Sequence, residues 1–176
     1  SYREILNSVD AVLAGGDAAD TRRLFDAIEQ ARRIFVGGAG RSALAARFFA
    51  MRLMHCSYTV FVVGEIVTPS LAPGDLLIVL SGSGATETLQ PIARKARALG
   101  ARIALVTTQP ASPLAQLATD VVALGADGSA QSRPGIPMGT VFELSALVFL
   151  ESVVFEIIAG KGLDEAELRA RHANLE

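Results

Sequence analysis

Cysteine is nearly missing from this chain: Cys56 stands alone, so no intrachain disulfide and no cysteine-rich metal site can form. That usage fits a reducing compartment, and a cytoplasmic location is expected. An excess of charge of one sign is missing too. Sixteen Lys and Arg against eighteen Asp and Glu leave a net charge of -2, too weak a basic field to hold DNA or RNA. A phosphate bound here has to be small and caught locally. The opening residues, SYREILNSVDAVL, lack the charged, apolar and cleavage regions of a secretory signal in their usual order. A clean membrane span is also lacking. The longest apolar stretch, residues 141–159, is interrupted by Glu143, Glu151 and Glu156, and a lipid-buried carboxylate is costly, so the stretch reads as a buried or interfacial helix. The chain carries no internal repeat and no low-complexity segment.

What is present is apolar. Hydrophobic residues make up 51% of the 176 and charged residues 19%, enough for one compact domain with a sizeable core and little disorder. The apolar surplus points to an oligomer. Ile5, Val9, Val12 and Leu13, then Leu24, Phe25 and Ile28, recur at helical spacing, which predicts two helices within residues 1–32 around a Gly15-Gly16 break. Five short apolar runs of strand type follow, at 33–36, 59–63, 76–80, 103–107 and 120–124. Helix-like segments at 42–54, 86–99 and 113–118 separate them, except that 65–75 reads as a loop with a Pro73-Gly74 turn. Strands apolar on both faces and joined through helices belong to a parallel sheet covered on both sides. The fold expected is therefore α/β, a doubly wound five-stranded parallel sheet flanked by helices, of Rossmann-like type. A Gly-, Pro- and Ser-rich loop at 125–139 precedes the last long helix, and a helical tail is expected over 161–176.

In such sheets ligands sit at the carboxyl ends of the strands. The third run leads straight into Ser81-Gly82-Ser83-Gly84-Ala85-Thr86, with a helix expected directly after. Glycines let the backbone approach an anion, three hydroxyls add donors, and a helix start adds free N–H groups, so the loop is a candidate phosphate site. The plainer alternative is a turn in which Ser83 or Thr86 caps the helix. The G-x-x-x-x-G-K-[ST] pattern of a nucleotide triphosphate site is absent. A second loop, Gly37 to Ala43, follows the first run. Its Gly38, Gly40 and Ala43 satisfy G-x-G-x-x-A, and Glu65 stands where a ribose-binding acid is expected, so a dinucleotide site is a rival reading. Against it, a hydride-transfer enzyme needs a substrate domain that this length scarcely provides. On the phosphate-site reading, Gly40 lets the ligand approach, Ser42 donates to it and Arg41 orients or neutralises it. The alternatives are an Arg41 surface ion pair and a helix-capping Ser42.

Gly40-Arg41-Ser42, the run from Asp75 through Ser81-Gly82-Ser83-Gly84-Ala85-Thr86, and Ser112-Pro113 before Asp120 resemble the SIS (sugar isomerase) family along nearly the whole chain. Pro137-Met138-Gly139-Thr140-Val141-Phe142-Glu143 and the ending Arg171-His172-Ala173-Asn174-Leu175-Glu176 are similar to its 6-phospho-3-hexuloisomerase branch. The resemblance implies interconversion of D-arabino-hex-3-ulose 6-phosphate and fructose 6-phosphate, in the ribulose monophosphate route of formaldehyde fixation. It also implies a hexose phosphate substrate, no metal or organic cofactor, and a homotetramer with sites near subunit boundaries. Hexulose-6-phosphate synthase is the pathway neighbour it implies. Another isomerase of the family, or a non-catalytic sugar-phosphate sensor, is the alternative.

Moving a carbonyl from C3 to C2 needs a base that takes a proton from C2 and returns one at C3, and a partly desolvated carboxylate suits that work. Glu143, early in an apolar helix, is the candidate base. Its alternative role is structural: Thr140-x-x-Glu143 spells a capping box. Glu151 and Glu156 fit a solvated face or an ion pair. His172 is the candidate proton shuttle between substrate oxygens, titrating near neutrality as histidines do, and the resemblance implies that it serves a neighbouring subunit's site. Its alternative is a frayed terminus without a role. His55, near a helix end, reads as structural or capping.

Overall fold

The structure, a computed structural model, describes residues 1–131 and 134–175. The expected loop 125–139 and tail 161–176 each extend to positions outside that range, Ser132, Arg133 and Glu176. Five parallel strands, β1 (Ile34–Gly38), β2 (Val60–Val62), β3 (Leu76–Leu80), β4 (Arg102–Thr107) and β5 (Asp120–Ala123), form one sheet in the order β2-β1-β3-β4-β5. Their side chains alternate between two apolar layers, as period-2 geometry requires. Ile34, Val36, Leu76, Ile78, Leu80, Ala104 and Val106 face one layer, while Phe35, Leu77, Val79, Ile103 and Leu105 face the other. The expected doubly wound α/β architecture is the one observed.

Helices α1 (Tyr2–Ala14), α2 (Ala18–Glu29), α3 (Gly40–His55) and α6 (Thr140–Lys161) cover the first layer, joined through Val12, Leu24, Ile28, Phe49, Leu53, Phe149 and Val153. Helices α4 (Leu89–Ala98) and α5 (Pro113–Leu117) cover the second through Leu89, Ala93, Ala96 and Leu114. A short α7 (Glu165–Ala170), started by an Asp164/Glu167 capping box, leads into the tail. Among the described residues no helix is long and apolar enough to cross a membrane.

The β2–β3 connection is the loop expected from the sequence, and one buried acid anchors it. Asp75, whose side chain is wholly buried, takes Arg33 through both carboxylate oxygens, at 3.1 and 2.5 Å. It also accepts from Arg32 at 3.3 Å and from the Ala72 N–H at 2.8 Å. Burial pushes this carboxyl up, but the Arg33 and Arg32 guanidinium groups and the Ala72 N–H outweigh burial and hold it below the ordinary aspartate value. The start of β3 is thereby tied to the start of β1.

Two helix starts differ from the sequence reading. Helix α3 begins at Gly40, with Ala39 as its N-cap, so Gly40, Arg41 and Ser42 lie in its first turn rather than in a loop. Strand β1 runs on to Gly38, where a side chain would sit 2.8 Å from the Ala43 nitrogen. Only a glycine lets the strand turn so tightly into the helix. Helix α4 begins later than expected, at Leu89. The Ser81 and Thr86 hydroxyls, 2.9 Å apart, keep Thr86 in the loop, and the Leu89 N–H closes a turn onto the Thr86 carbonyl.

Candidate active site

In the order β2-β1-β3-β4-β5 the connections leave β1 and β3 in opposite directions, so a crevice opens between their carboxyl ends, the usual place for a ligand in an open α/β sheet. Gly38 of β1 is paired with Leu80 of β3, so the Gly40-Arg41-Ser42 turn and the Ser81 to Thr86 loop emerge side by side. These are the two segments singled out from the sequence.

The Ser81–Thr86 loop is held from beneath. Ser81 is buried, and its hydroxyl accepts from the Gly84 N–H at 3.1 Å and meets Thr86. The Gly82 carbonyl accepts three donors from the end of β4, the Thr108 N–H and hydroxyl at 3.0 and 2.9 Å and the Thr107 hydroxyl at 3.1 Å. Gly84 has a φ of +59°, and a side chain there would meet the Ser112 hydroxyl at 2.0 Å. The tip, Ser83 and Ala85, is exposed, with the Ser83 hydroxyl accepting from the Ala85 N–H at 3.2 Å. Neither Ser83 nor Thr86 caps α4, whose N-cap is Thr88, so the capping alternative does not describe this loop. The sequence reading missed the supports Thr107, Thr108 and Ser112. Their signal was a hydroxyl-rich segment at the end of a neighbouring strand.

Glu143 reaches this crevice through α6. The Phe142 ring packs against Gly82, where a side chain would approach it to 3.0 Å, so the start of α6 leans on the Ser81–Thr86 loop. The N-cap of α6 is Gly139, at a φ of +86°, and Thr140 is already helical, so no Thr140/Glu143 capping box forms. The Glu143 N–H bonds the Gly139 carbonyl at 2.9 Å, and its carboxylate lies over Gly139, where a side chain would come within 2.9 Å of Oε1. The Glu143 side chain is 11% exposed, and Arg41 donates Nε–H to its Oε2 at 2.5 Å. Arg41 itself is 66% exposed. A desolvated carboxylate beside a cation at the mouth of a Gly-rich loop is suited to moving a proton next to a developing negative charge. The Arg41–Glu143 pair joins positions 102 apart in the chain, which no local pattern encodes.

The other acids are occupied elsewhere. Glu151 pairs with Arg52 at 3.3 Å, Glu156 is exposed on α6, and Glu65, the acid of the dinucleotide reading, pairs with Arg47 of α3 at 2.5 Å.

The structure does not bring His172 to Glu143 within one chain. The His172 ring stacks on His55 at the last turn of α3, with centroids 5.4 Å apart at 26°. Arg41 and Glu143 stand at the first turn of the same helix. His55 is fourteen positions along α3 from Arg41, about 21 Å. Between Arg41, Leu44 and Phe48 of α3 and Glu143, Leu144 and Leu147 of α6 runs a groove of about 230 Å³. It opens from the carboxylate onto an exposed apolar stripe, Leu44, Phe48 and Met51, spaced for one helix face.

Comparison with known proteins places this geometry in a family. A profile described as the SIS domain matches residues 27–148. The chain is 51% identical over 156 residues to the 3-hexulose-6-phosphate isomerase of Methylomonas aminofaciens, spanning 88% of this chain and 86% of that protein. It is 40% identical over 177 residues to the 3-hexulose-6-phosphate isomerase of Bacillus subtilis, spanning 98% and 96%. A crystal structure of a hypothetical protein from Methanococcus jannaschii, from which a molecular function of 3-hexulose-6-phosphate isomerase was inferred, matches with a TM-score of 0.89 at 36% identity, covering 98% of this chain and 97% of that one. Profile, relatives and architecture agree over most of the length, and the chain belongs to the SIS-domain family.

Proposed function

We propose that the chain is a 3-hexulose-6-phosphate isomerase, interconverting D-arabino-hex-3-ulose 6-phosphate and fructose 6-phosphate. The observation that carries the reading is the placement of the shielded Glu143 carboxylate, paired with Arg41, beside a hydroxyl- and glycine-rich loop at the β1/β3 crevice. Relatives of that name at 40–51% identity supply the substrate.

In the forward direction Glu143 takes the proton from C2. The C–H electron pair becomes the C2=C3 double bond, and the C3 carbonyl electrons move onto O3 as an enediolate. Arg41 and the loop N–H groups meet that charge. The O2 proton then passes to O3 as C2 becomes the carbonyl, and Glu143 returns its proton to C3. His172 is the proposed carrier between the two oxygens, since an imidazole can accept a proton at one ring nitrogen and donate one from the other. The Ser81 to Thr86 loop, with Gly40 and Ser42, holds the phosphate.

His172 lies about a helix length from Glu143 of its own chain, so this mechanism requires a second subunit. The apolar stripe of Leu44, Phe48 and Met51, with Val148 and Phe155 also exposed on α6, supports a homo-oligomer whose contacts run beside the site. A tetramer fed by hexulose-6-phosphate synthase fits this reading.

The test is an assay in which the synthase generates the 3-hexulose 6-phosphate in situ and fructose 6-phosphate is followed with and without this protein. Protein-dependent product is expected, and its absence from folded protein overturns the reading. Ser83→Ala is expected to weaken binding of fructose 6-phosphate about tenfold, the loss of one or two hydrogen bonds to a charged group. Unchanged affinity in titration calorimetry would remove Ser83 from the phosphate site.

A further inference from the structure

We propose that His55 is a positioning residue for His172: its buried ring docks the C-terminal tail on the end of α3, so that the tail presents His172 to the site of an adjoining subunit. The proposal rests on the catalytic reading of His172 given above.

His55 is the last residue of α3 and is only 4% exposed. Its Nε2 has no hydrogen-bond partner among the described residues. A buried polar atom left in that condition calls for an explanation beyond packing, since leucine would fill the space without the desolvation cost. The His172 ring stacks against that of His55 at 26°. The main chain of the same residue holds the tail as well. Arg171 donates from Nη1 to the His55 carbonyl at 3.4 Å and to the Glu167 carbonyl at 2.9 Å, joining the end of α3 to the end of α7. The two rings share a cavity of about 580 Å³ with Arg52, Glu165, Leu168 and Arg169.

The charged groups around the pair favour a neutral His55. Burial, then His172, then Arg52, hold its pKa below the ordinary histidine value. Arg52 is paired with Glu151 of α6 and Arg169 with Glu165 of α7, while Arg171 stands on backbone carbonyls. A neutral ring accepts a stacked partner that gains and loses a proton, where two cationic rings would repel. The same helix then serves two sites. Its first turn gives Arg41 to the Glu143 of its own chain, and its last residue aims His172 at a neighbour's.

The test uses the full chain, with steady-state kinetics in the coupled assay and trypsin cleavage of the tail at Arg169 and Arg171. His55→Ala is expected to lower kcat about tenfold at nearly constant KM, the scale of a mispositioned group, and to speed tail cleavage. His55→Phe keeps a flat ring and is expected to restore both. In a His172→Ala background His55→Ala is expected to add no further loss. Wild-type kcat and cleavage in His55→Ala, or fully additive losses in the double variant, overturn the proposal. If the alanine variant does not fold, His55→Leu fills the volume without a flat ring and must show the same kcat loss. Full turnover in His172→Ala removes the catalytic reading of His172. Docking by His55 is then decided by cleavage alone, standing if His55→Ala exposes the tail and falling if it does not.

Discussion

Replacing Glu143 with Gln is expected to lower kcat by about 10²–10⁴, the usual contribution of a positioned general base, while the protein stays folded. The substitution keeps the volume of a side chain that is 11% exposed. Its amide oxygen still accepts from the Arg41 Nε that now meets Oε2 at 2.5 Å. What is lost is the ability to accept a proton. Arg41 is exposed enough that losing its charge partner costs little, because a solvated guanidinium is screened. A capping role for Glu143 predicts the opposite pattern, with turnover kept and thermal stability lost. The structure weakens that alternative, since the N-cap is Gly139 and Glu143 lies one position too far into the helix. Measuring kcat, KM and Tm on one preparation separates the two. Unchanged turnover in the Gln variant would remove Glu143 from the chemistry.

Asp75→Ala is expected to produce the largest loss of stability, about 2 kcal/mol, because it removes a wholly buried acceptor and leaves its donors without a partner, while the partly exposed Arg33 keeps some access to water. Arg33 is left without its two-oxygen acceptor, Arg32 loses its contact with Oδ1, and the Ala72 N–H loses its carboxylate acceptor. The change shows as a lower urea midpoint with an unchanged slope, compared at equal protein concentration because an oligomer's apparent stability depends on it. The contribution has a defined pH range. The folded carboxyl is held below its ordinary value, so its stabilisation is complete above about pH 4 and is lost as pH falls through the folded pKa. Wild type and variant are therefore expected to converge in stability on acidification. A constant gap down to pH 2 would show that Asp75 acts through packing rather than charge.

Asp75 also illustrates how far the chain could be read in advance. The Pro73-Gly74 turn was visible from residue types, and Gly74 does take the left-handed conformation such a turn needs, at a φ of +85°. That the next residue is the buried partner of Arg32 and Arg33 was not visible. It depends on β1 and β3 lying side by side. The strands themselves were legible to within two residues because their apolar runs have no polar face, which leaves a parallel sheet covered on both sides as the architecture able to bury them. Helix starts were less legible. Gly40 to Ser42 has the composition of a loop, and only the tight exit at Gly38 draws these residues into α3. Thr86 has the composition of a cap, but its hydroxyl meets Ser81 and the helix is capped at Thr88.

The candidate site divides the same way. The Ser81 to Thr86 loop is legible locally, since glycines and hydroxyls directly after a buried strand are the composition of a candidate phosphate site. Glu143 was legible as a polar residue in an apolar helix, but its two possible roles could be separated only by seeing Gly139 take the cap and Arg41 arrive from another helix. From residue type and position His55 reads as structural or capping, and its buried Nε2 and stacking with His172 belong to packing between segments 117 positions apart.

By itself, then, the sequence determined the layered α/β fold and the glycine- and hydroxyl-rich loop after β3, because apolar period and loop composition are local properties carried by neighbouring residues. The tertiary structure decided which carboxylate is shielded and paired, what supports the loop from β4, and that His172 and Glu143 stand at opposite ends of α3. Each of these depends on which segments the sheet order brings into contact, and a contact between residues far apart in the chain leaves no periodic trace in either segment.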